Sequence, residues 1–458
     1  DNEETLTQFI KIGMNVARLN FSHGTHETHK EKIDLIKKIR TNLNTPTAIM
    51  LDIKGPKIRT HNFINDGVEL KANQIFAFKC GTEITGNTQE CSISYSELYK
   101  DVNIGGTILV DDGLINFEII DINGKDIICK VLNDGVIKNH KGVNVPNVSI
   151  NLPSVTEKDK DDLVFGCKMG VDFVAASFIR KASDIKEIRD LLNKNNGKNI
   201  QIIAKIESQE GVNNIDSILE VADGIMVARG DMGVEIPIEK VPIIQKKIIK
   251  KCNEAGKIVI TATQMLDSMI RNSLPTRAEA CDICNAIFDG TDAIMLSGES
   301  ASGQYPIEAA NTMSKIAKET ELHLDYNYLN QRLKEPAMYD FAEAISYSTC
   351  RTSNVLNAKA IVAATNSGAT AKLVSKYKPK CPIIAITPHE EVMRGLSLNF
   401  GVYPVLCQEF ATTDDILNES KKIVAELNLA DKGDDIIVAA GMPTNYTGGT
   451  NMLKIEKL

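Results

Sequence analysis

Between residues 171 and 320 the chain keeps switching between two patterns, and this alternation limits its folds more than any other feature. Short apolar runs at 171–176, 200–204, 224–228, 258–261 and 293–296 are each followed by an amphipathic stretch, at 184–193, 212–221, 238–253, 276–288 and 306–320. Strand followed by helix, repeated, means a parallel sheet with covering helices. Ser183 and Thr276 stand where helix N-caps belong. Two earlier runs, 16–19 and 49–51, read as strands of the same kind, and 6–12 belongs to a helix.

Such alternation closes into a barrel or stays open as a doubly wound sheet. In an open sheet, chemistry gathers at one switch point. In a barrel, every strand's C-terminal end reaches one site. Here the runs end in Arg18/Asn20/Ser22, Asp52/Lys54, Ser177/Arg180, Lys205/Glu207, Arg229/Asp231, Thr263/Gln264 and Ser297/Glu299. Seven loaded ends favour a (β/α)8 TIM barrel, although only seven of its strands can be read.

Two further units interrupt or follow it. Segments 68–70, 108–110, 115–120 and 126–131 are short strands, with Asp112-Gly113, Asn123-Gly124 and Asp134-Gly135 as hairpin turns. They predict a small β-barrel domain inserted between barrel strands, placed to act as a lid. Strands at 360–363, 383–386, 403–406 and 436–439 predict a C-terminal α/β domain with an open, mostly parallel sheet. The division is 1–56 plus 154–327 for the barrel, 57–153 for the lid and 328–458 for the C-terminal domain. Length agrees: 458 residues at about 150 per domain is about three domains.

Composition excludes some partners. A net charge of −8 argues against nucleic acid or an anionic membrane surface, but not against a small anion met by a few local cations. No apolar run approaches the ~20 residues of a membrane span. Ten scattered cysteines are too few for a disulfide scaffold and read as thiols of a reducing, cytoplasmic compartment. No signal peptide is visible. Cys281 and Cys284, lacking a second CxxC, read as thiols one turn apart on a helix rather than a zinc site.

The strand ends suggest chemistry. Lys205 and Glu207 are two residues apart in an extended segment and point to one side. Glu207 and Asp231 offer two hard carboxylates for Mg²⁺, and Lys205 a point charge for a phosphoryl group or an enolate oxygen. Gly230 admits backbone N–H groups close to an anion, and Thr263 adds a hydroxyl. Arg18, Lys54 and Arg59, with Asp52, suit a polyphosphate and its counter-ions. His23, His26 and His29 are spaced by three; one face of a starting helix explains them better than a metal cluster.

At these residues the chain resembles the pyruvate kinase family, over essentially its whole length. The resemblance is carried by GMNVARLNFSHGTHETH (13–29), LDIKGPKIRT (51–60), DDGLI (111–115), KGVNVP (141–146), ASFIRK (176–181), AKIESQEG (204–211), DGIMVARGDMGVEIP (223–237), TATQMLDSMI (261–270), PTRAEACD (275–282) and MLSGESASGQYPIEA (295–309). It implies transfer of the phosphoryl group of phosphoenolpyruvate to ADP, giving pyruvate and ATP, as the last step of glycolysis. It further implies Glu207 and Asp231 as ligands of Mg²⁺ (or Mn²⁺) and Lys205 as the cation on the transferring group and enolate. Arg18 would meet the phosphate; Gly230, Asp231, Thr263 and Ser177 would line the same substrate. Asn20, Phe21, Ser22, His23, Arg59 and the lid's Lys141 match nucleotide positions. A homotetramer, with the helix at 275–288 and the C-terminal domain as contacts, is implied as well.

Departures from the family pattern carry expectations of their own. The family's K⁺ ligands match Asn20, Ser22, Asp52 and the carbonyl of Ile53, but Lys57 stands where K⁺-dependent members carry Glu. This predicts weak or absent K⁺ activation, although Lys54 and Thr60 follow the K⁺-dependent pattern. The segment Thr365, Asn366, Ser367, Gly368, Ala369, Thr370 aligns with a sugar-phosphate effector loop but lacks its basic side chains, so sensitivity to fructose 1,6-bisphosphate is doubtful. The loop 441–450 lacks the Trp and Arg of regulated members. Family barrels begin with a strand upstream of the helix at 6–12; without it, a barrel would have an exposed edge. The competing reading is a barrel lyase or aldolase acting on a pyruvate enolate, with Lys205 as a Schiff-base nucleophile.

Overall fold

A computed structural model describes residues 2–326, 340–443 and 449–458. The expected boundary at 327/328 and residues 444–448 of the loop 441–450 lie outside these. Seven parallel strands run in chain order across one curled sheet: Val16–Asn20, Ala48–Asp52, Phe173–Ala176, Gln201–Ile206, Gly224–Ala228, Ile258–Ala262 and Ala293–Met295. Every connection between neighbours is a crossover carrying a helix, which parallel pairing requires.

Strand alternation fixes where the core ends and the site begins. One face of the sheet points inward: Ala48, Met50, Phe173, Ala175, Ile203, Met226, Ile258 and Ile260 form one apolar cluster with Leu398 of the C-terminal segment. The other face, including Ala17, Leu19, Ile49, Leu51, Val174, Ile202, Ile225 and Val259, packs on helix residues such as Ile33, Leu163, Ile188 and Ile249. Burying each of the larger of these side chains, Val, Leu, Ile, Met or Phe, contributes about 1.5–3 kcal/mol. Two residues beyond the inward apolar layer, the same parity delivers Arg18, Asp52, Ser177 and Lys205 to the sheet's C-terminal mouth.

The inserted segment forms its own sheet. Strands Ile58–Arg59, Gly142–Asn144, Thr107–Val110, Ile115–Asn123, Asp126–Val131, Ile75–Cys80 and Glu90–Ile93 are neighbours in that order, and Gly67–Leu70 pairs with Gly135–Lys138 beside them. Phe76, Phe78 and Phe117 fill its centre, with ring centroids 5.0–5.6 Å apart. Asp112-Gly113 and Asn123-Gly124 make the expected hairpins. Asp134-Gly135 does not: the strand it opens pairs with Gly67–Leu70, not with its predecessor. A dipeptide signals a reversal but cannot choose the partner strand.

The C-terminal sheet runs Val402–Leu406, Ile383–Thr387, Ala360–Ala364, Asp435–Ala440 and Met452–Lys457, the last antiparallel. That edge strand, rich in Lys and Glu, gave no apolar signal. This unit docks under the barrel floor. Leu398 enters the inward cluster, Lys378 pairs with Asp292 at 2.6 Å and Arg394 with Asp172 at 2.8 Å.

Helix starts show how local chemistry sets boundaries. Thr276 caps helix Arg277–Asp289 with a reciprocal bond from Thr276 N to Glu279. Ser183 is not a cap: helix Ala182–Lys194 starts earlier, because the Asp184 carboxylate accepts from both Arg180 N and Lys181 N. The expected helix at 212–221 is two pieces, Gln209–Asn213 and Ile215–Val221. A 3-10 turn, Ile238–Lys240, precedes helix Val241–Ala255.

Candidate active site

Lys205 is the hub of the mouth. Its ammonium lies 2.7 Å from Ser177 Oγ, 3.3 Å from Asp52 Oδ1 and 3.1 Å from Glu207 Oε1. Burial alone would lower its pKa; the charges of Asp52 and Glu207 overcome this and raise it. Asp52, buried, would be pushed up by desolvation, but Lys205 and Arg18 pull its pKa below the ordinary value. Arg18 Nε donates to Asp52 Oδ2 at 2.5 Å. Arg18 and Lys205 thus share the Asp52 carboxylate across the mouth, Glu207 balances the second cation, and Lys205 is fixed as a cation.

Glu207 is different. It is fully buried, and Oε2 accepts from Phe178 N at 2.6 Å. Oε1 sits at ion-pair distance from Lys205 yet accepts no hydrogen bond among the described residues. Burial and the nearby Asp231 charge raise its pKa, against the pull of Lys205. Asp231, in the short helix Arg229–Glu235, is one-third exposed, and its Oδ1 accepts from Lys57 Nζ at 3.1 Å. A buried carboxylate oxygen with a free lone pair, beside a partly open carboxylate, is a donor set that fits Mg²⁺. That ion takes one or two carboxylates and leaves its other positions to substrate oxygens and water. Among the described residues no group of three His, Cys, Asp or Glu side chains is arranged to hold a metal ion.

Thr263 completes the wall. Its Oγ1 accepts from Gly230 N at 2.8 Å and donates to Ala262 O at 2.6 Å. Its φ is 70°, and that of Gln264 is 55°. Arg229, read from the sequence only as part of a loaded strand end, holds this strained corner. It donates to Ala262 O at 3.2 Å, Thr263 O at 2.6 Å and Asp282 Oδ1 at 2.7 Å. The Phe178 N–H, which orients Glu207, was equally invisible, because backbone donors leave no residue signature.

The remaining candidates divide. Asn20 Oδ1 accepts from Ser22 N at 3.1 Å, and His23 is exposed on the same loop. The Phe21 ring is not at the site: it is buried and stacks on His29, so only its backbone borders the mouth. In the lid, Arg59 donates to His140 O at 2.8 Å and Lys141 pairs with Asp111 at 2.9 Å. Lys57 does not join the Asn20, Ser22, Asp52 and Ile53 set; its ammonium pairs with Asp231 and, at 3.4 Å, with Asp112. Ile53 O accepts from Ser177 Oγ at 2.7 Å. In the turn at 365–370, two hydroxyls are already engaged: Thr365 Oγ1 accepts from Gly368 N at 2.9 Å, and Thr370 Oγ1 bonds Thr450 at 2.8 Å. Asn366, Ser367 and Ala369 remain exposed.

A fixed cation, metal-fitting carboxylates and an insert above the mouth define a barrel enzyme of anionic substrates. The barrel-domain model of pyruvate kinase matches residues 1–310 and its alpha/beta-domain model residues 343–456. The chain is 65% identical to a pyruvate kinase of Clostridium perfringens over 460 residues, covering 100% of this chain and 97% of the relative. It is 57% identical to that of Clostridium acetobutylicum, covering 100% and 96%. A crystal structure of a pyruvate kinase from Cryptosporidium parvum superposes with a TM-score of 0.95 at 40% identity, covering 100% of this chain and 93% of that one. The chain belongs to the pyruvate kinase family, and its activity is that of a pyruvate kinase. The lyase reading is not favoured. A Lys205 held as an ammonium between two carboxylates is a poor Schiff-base nucleophile, which needs a lowered pKa.

Proposed function

We propose that the mouth of this barrel carries out the phosphoryl transfer with the following roles. Arg18 and Lys205 bind the phosphate of phosphoenolpyruvate, with Ser177 holding Lys205. Gly230 N–H and Thr263 meet the substrate's carboxylate, and Asp231 borders it. The nucleotide lies against Asn20, Ser22 and His23, against the backbone of Phe21, and against Arg59 and Lys141 of the lid, segment 57–153. Glu207 and Asp231 hold Mg²⁺, which when bound supplies neutralising charge to phosphoryl and enolate oxygens.

A terminal phosphate oxygen of ADP attacks phosphorus, and the bond from phosphorus to the enol oxygen breaks. The electron pair stays on that oxygen, where the Lys205 ammonium stabilises it. After the transfer a proton from solvent adds to carbon to give pyruvate. The lid, closed over both substrates, excludes the water that would otherwise take the phosphoryl group. Such transfer asks for positioning and charge neutralisation more than covalent help.

The observation carrying this reading is the orphaned Glu207 Oε1 beside a Lys205 held as a cation. The proposal extends to a cytoplasmic homotetramer, to weak or absent K⁺ activation, and to an effector turn at 365–370 of low affinity. The test is pyruvate formation from phosphoenolpyruvate, with ADP, Mg²⁺ and K⁺ each omitted in turn. Omitting ADP or Mg²⁺ abolishes pyruvate; omitting K⁺ changes the rate less than about threefold. Pyruvate without ADP would contradict the transfer, and a strict K⁺ requirement would contradict the K⁺ reading.

A further inference from the structure

The histidines spaced by three do not share one helix face: His23 stands on the loop that leaves the Val16–Asn20 strand, and His29 lies directly beneath that loop. His29 is buried, in the first turn of helix His26–Leu43, whose N-cap is Thr25. Its Nε2 is 2.8 Å from the His23 carbonyl oxygen. A carbonyl only accepts, so the ring's proton is on Nε2. Nδ1 then carries the lone pair, and it is buried with no hydrogen-bond partner among the described residues. Burial lowers the pKa of His29, which agrees with a neutral ring.

The contacts around this ring all bear on residues 20–25. The Phe21 ring stacks on it with centroids 3.9 Å apart and planes 11° apart. Gly24, at φ 81°, crosses so close that a Cβ there would lie 2.9 Å from Thr28 Oγ1 and 3.3 Å from His29 Nε2. Lys158 Nζ donates to Phe21 O at 2.9 Å from the neighbouring helix. The backbone of Phe21 and His23 is therefore held by side chains of two helices, while Ser22 is half-buried and His23 exposed.

We propose that His29 is a positioning residue for the nucleotide: through Nε2 and its stacked face it fixes the loop on which Asn20, Ser22 and His23 are presented. This rests on the reading above that the loop meets ADP. It predicts a defect selective for one substrate, because Arg18 and Lys205, which meet the other, are anchored by Asp52 and not by this loop.

The test compares KM for ADP and for phosphoenolpyruvate in His29→Leu, His29→Gln and Gly24→Ala. Leu removes the donor. Gln carries an amide N–H to a position close to that of Nε2. Ala at the exposed Gly24 lifts the loop from an intact ring, so it reports even where His29→Leu does not fold. We expect KM for ADP to rise about tenfold in His29→Leu and Gly24→Ala, the scale of one lost well-formed hydrogen bond. KM for phosphoenolpyruvate stays within twofold, and His29→Gln recovers most of the loss. Unchanged KM for ADP in Gly24→Ala, equal losses for both substrates, or a Gln variant as impaired as Leu would each overturn the proposal. Ser22→Ala and His23→Ala separate it from its premise. If they leave KM for ADP unchanged, the nucleotide assignment of the loop fails; if they raise it while the His29 and Gly24 variants do not, only the role of His29 fails.

Discussion

At Thr263 the backbone leaves the barrel strand in the left-handed region, where a β-branched residue is strained by roughly 1–2 kcal/mol. The Arg229 guanidinium offsets this by gripping two consecutive carbonyls and Asp282. A lysine has no such fork. Arg229→Lys should therefore let the corner relax, and a misplacement of about 1 Å near a reacting centre costs up to ~100-fold. The expected outcome is a kcat lowered at least tenfold with the melting temperature little changed; a kcat within twofold of the parent would show that the corner holds itself. Legibility at this scale followed geometry. Lys205 and Glu207 could be read because a strand sets side chains two apart on one side. The holding role of Arg229, named only as a loaded strand end, could not, since its carbonyl partners Ala262 O and Thr263 O lie at the end of the next strand.

Helix Arg277–Asp289 shows the same division among elements. Its start was readable because Thr276 and Glu279 are at capping-box spacing. The failure at Ser183 came from Asp184, one residue on, whose carboxylate reaches back to two earlier N–H groups. Glu279 accepts from Thr276 N at 2.7 Å and Ser268 N at 2.7 Å. Desolvation would raise its pKa, but these bonds and those from the two hydroxyls lower it below the ordinary 4.5. A carboxylate whose folded pKa is lowered stabilises above its unfolded pKa, and that contribution is lost as pH falls through the folded value. Glu279→Gln should cost about 1 kcal/mol at pH 7, the usual worth of a cap. In urea unfolding the gap to the parent should narrow below pH 4.5; a gap independent of pH would show that the charge is idle.

For the whole molecule, one alternation does two jobs. Inward positions fill the barrel floor with Met50, Phe173, Ile203 and Ile260, then become Asp52, Ser177 and Lys205 at the mouth. The C-terminal unit closes the floor through Leu398 and the buried Lys378–Asp292 pair, which leaves the mouth to the insert. This polarity was readable from the loaded strand ends. The docking beneath the floor was not, because it joins residues far apart in the chain, as in the 2.8 Å bond of Ser397 to Pro46 O. The claim on which the whole arrangement turns is that Lys205 stabilises transferring charge while Glu207 and Asp231 hold the metal. Mn²⁺ binding by isothermal calorimetry and turnover should be measured side by side on the parent and Lys205→Met. The account predicts turnover reduced by about 10²-fold or more, the scale of losing a preorganised charge stabiliser, with Mn²⁺ affinity within about threefold. Near-parental turnover, or a loss of Mn²⁺ binding in step with the loss of turnover, would contradict it.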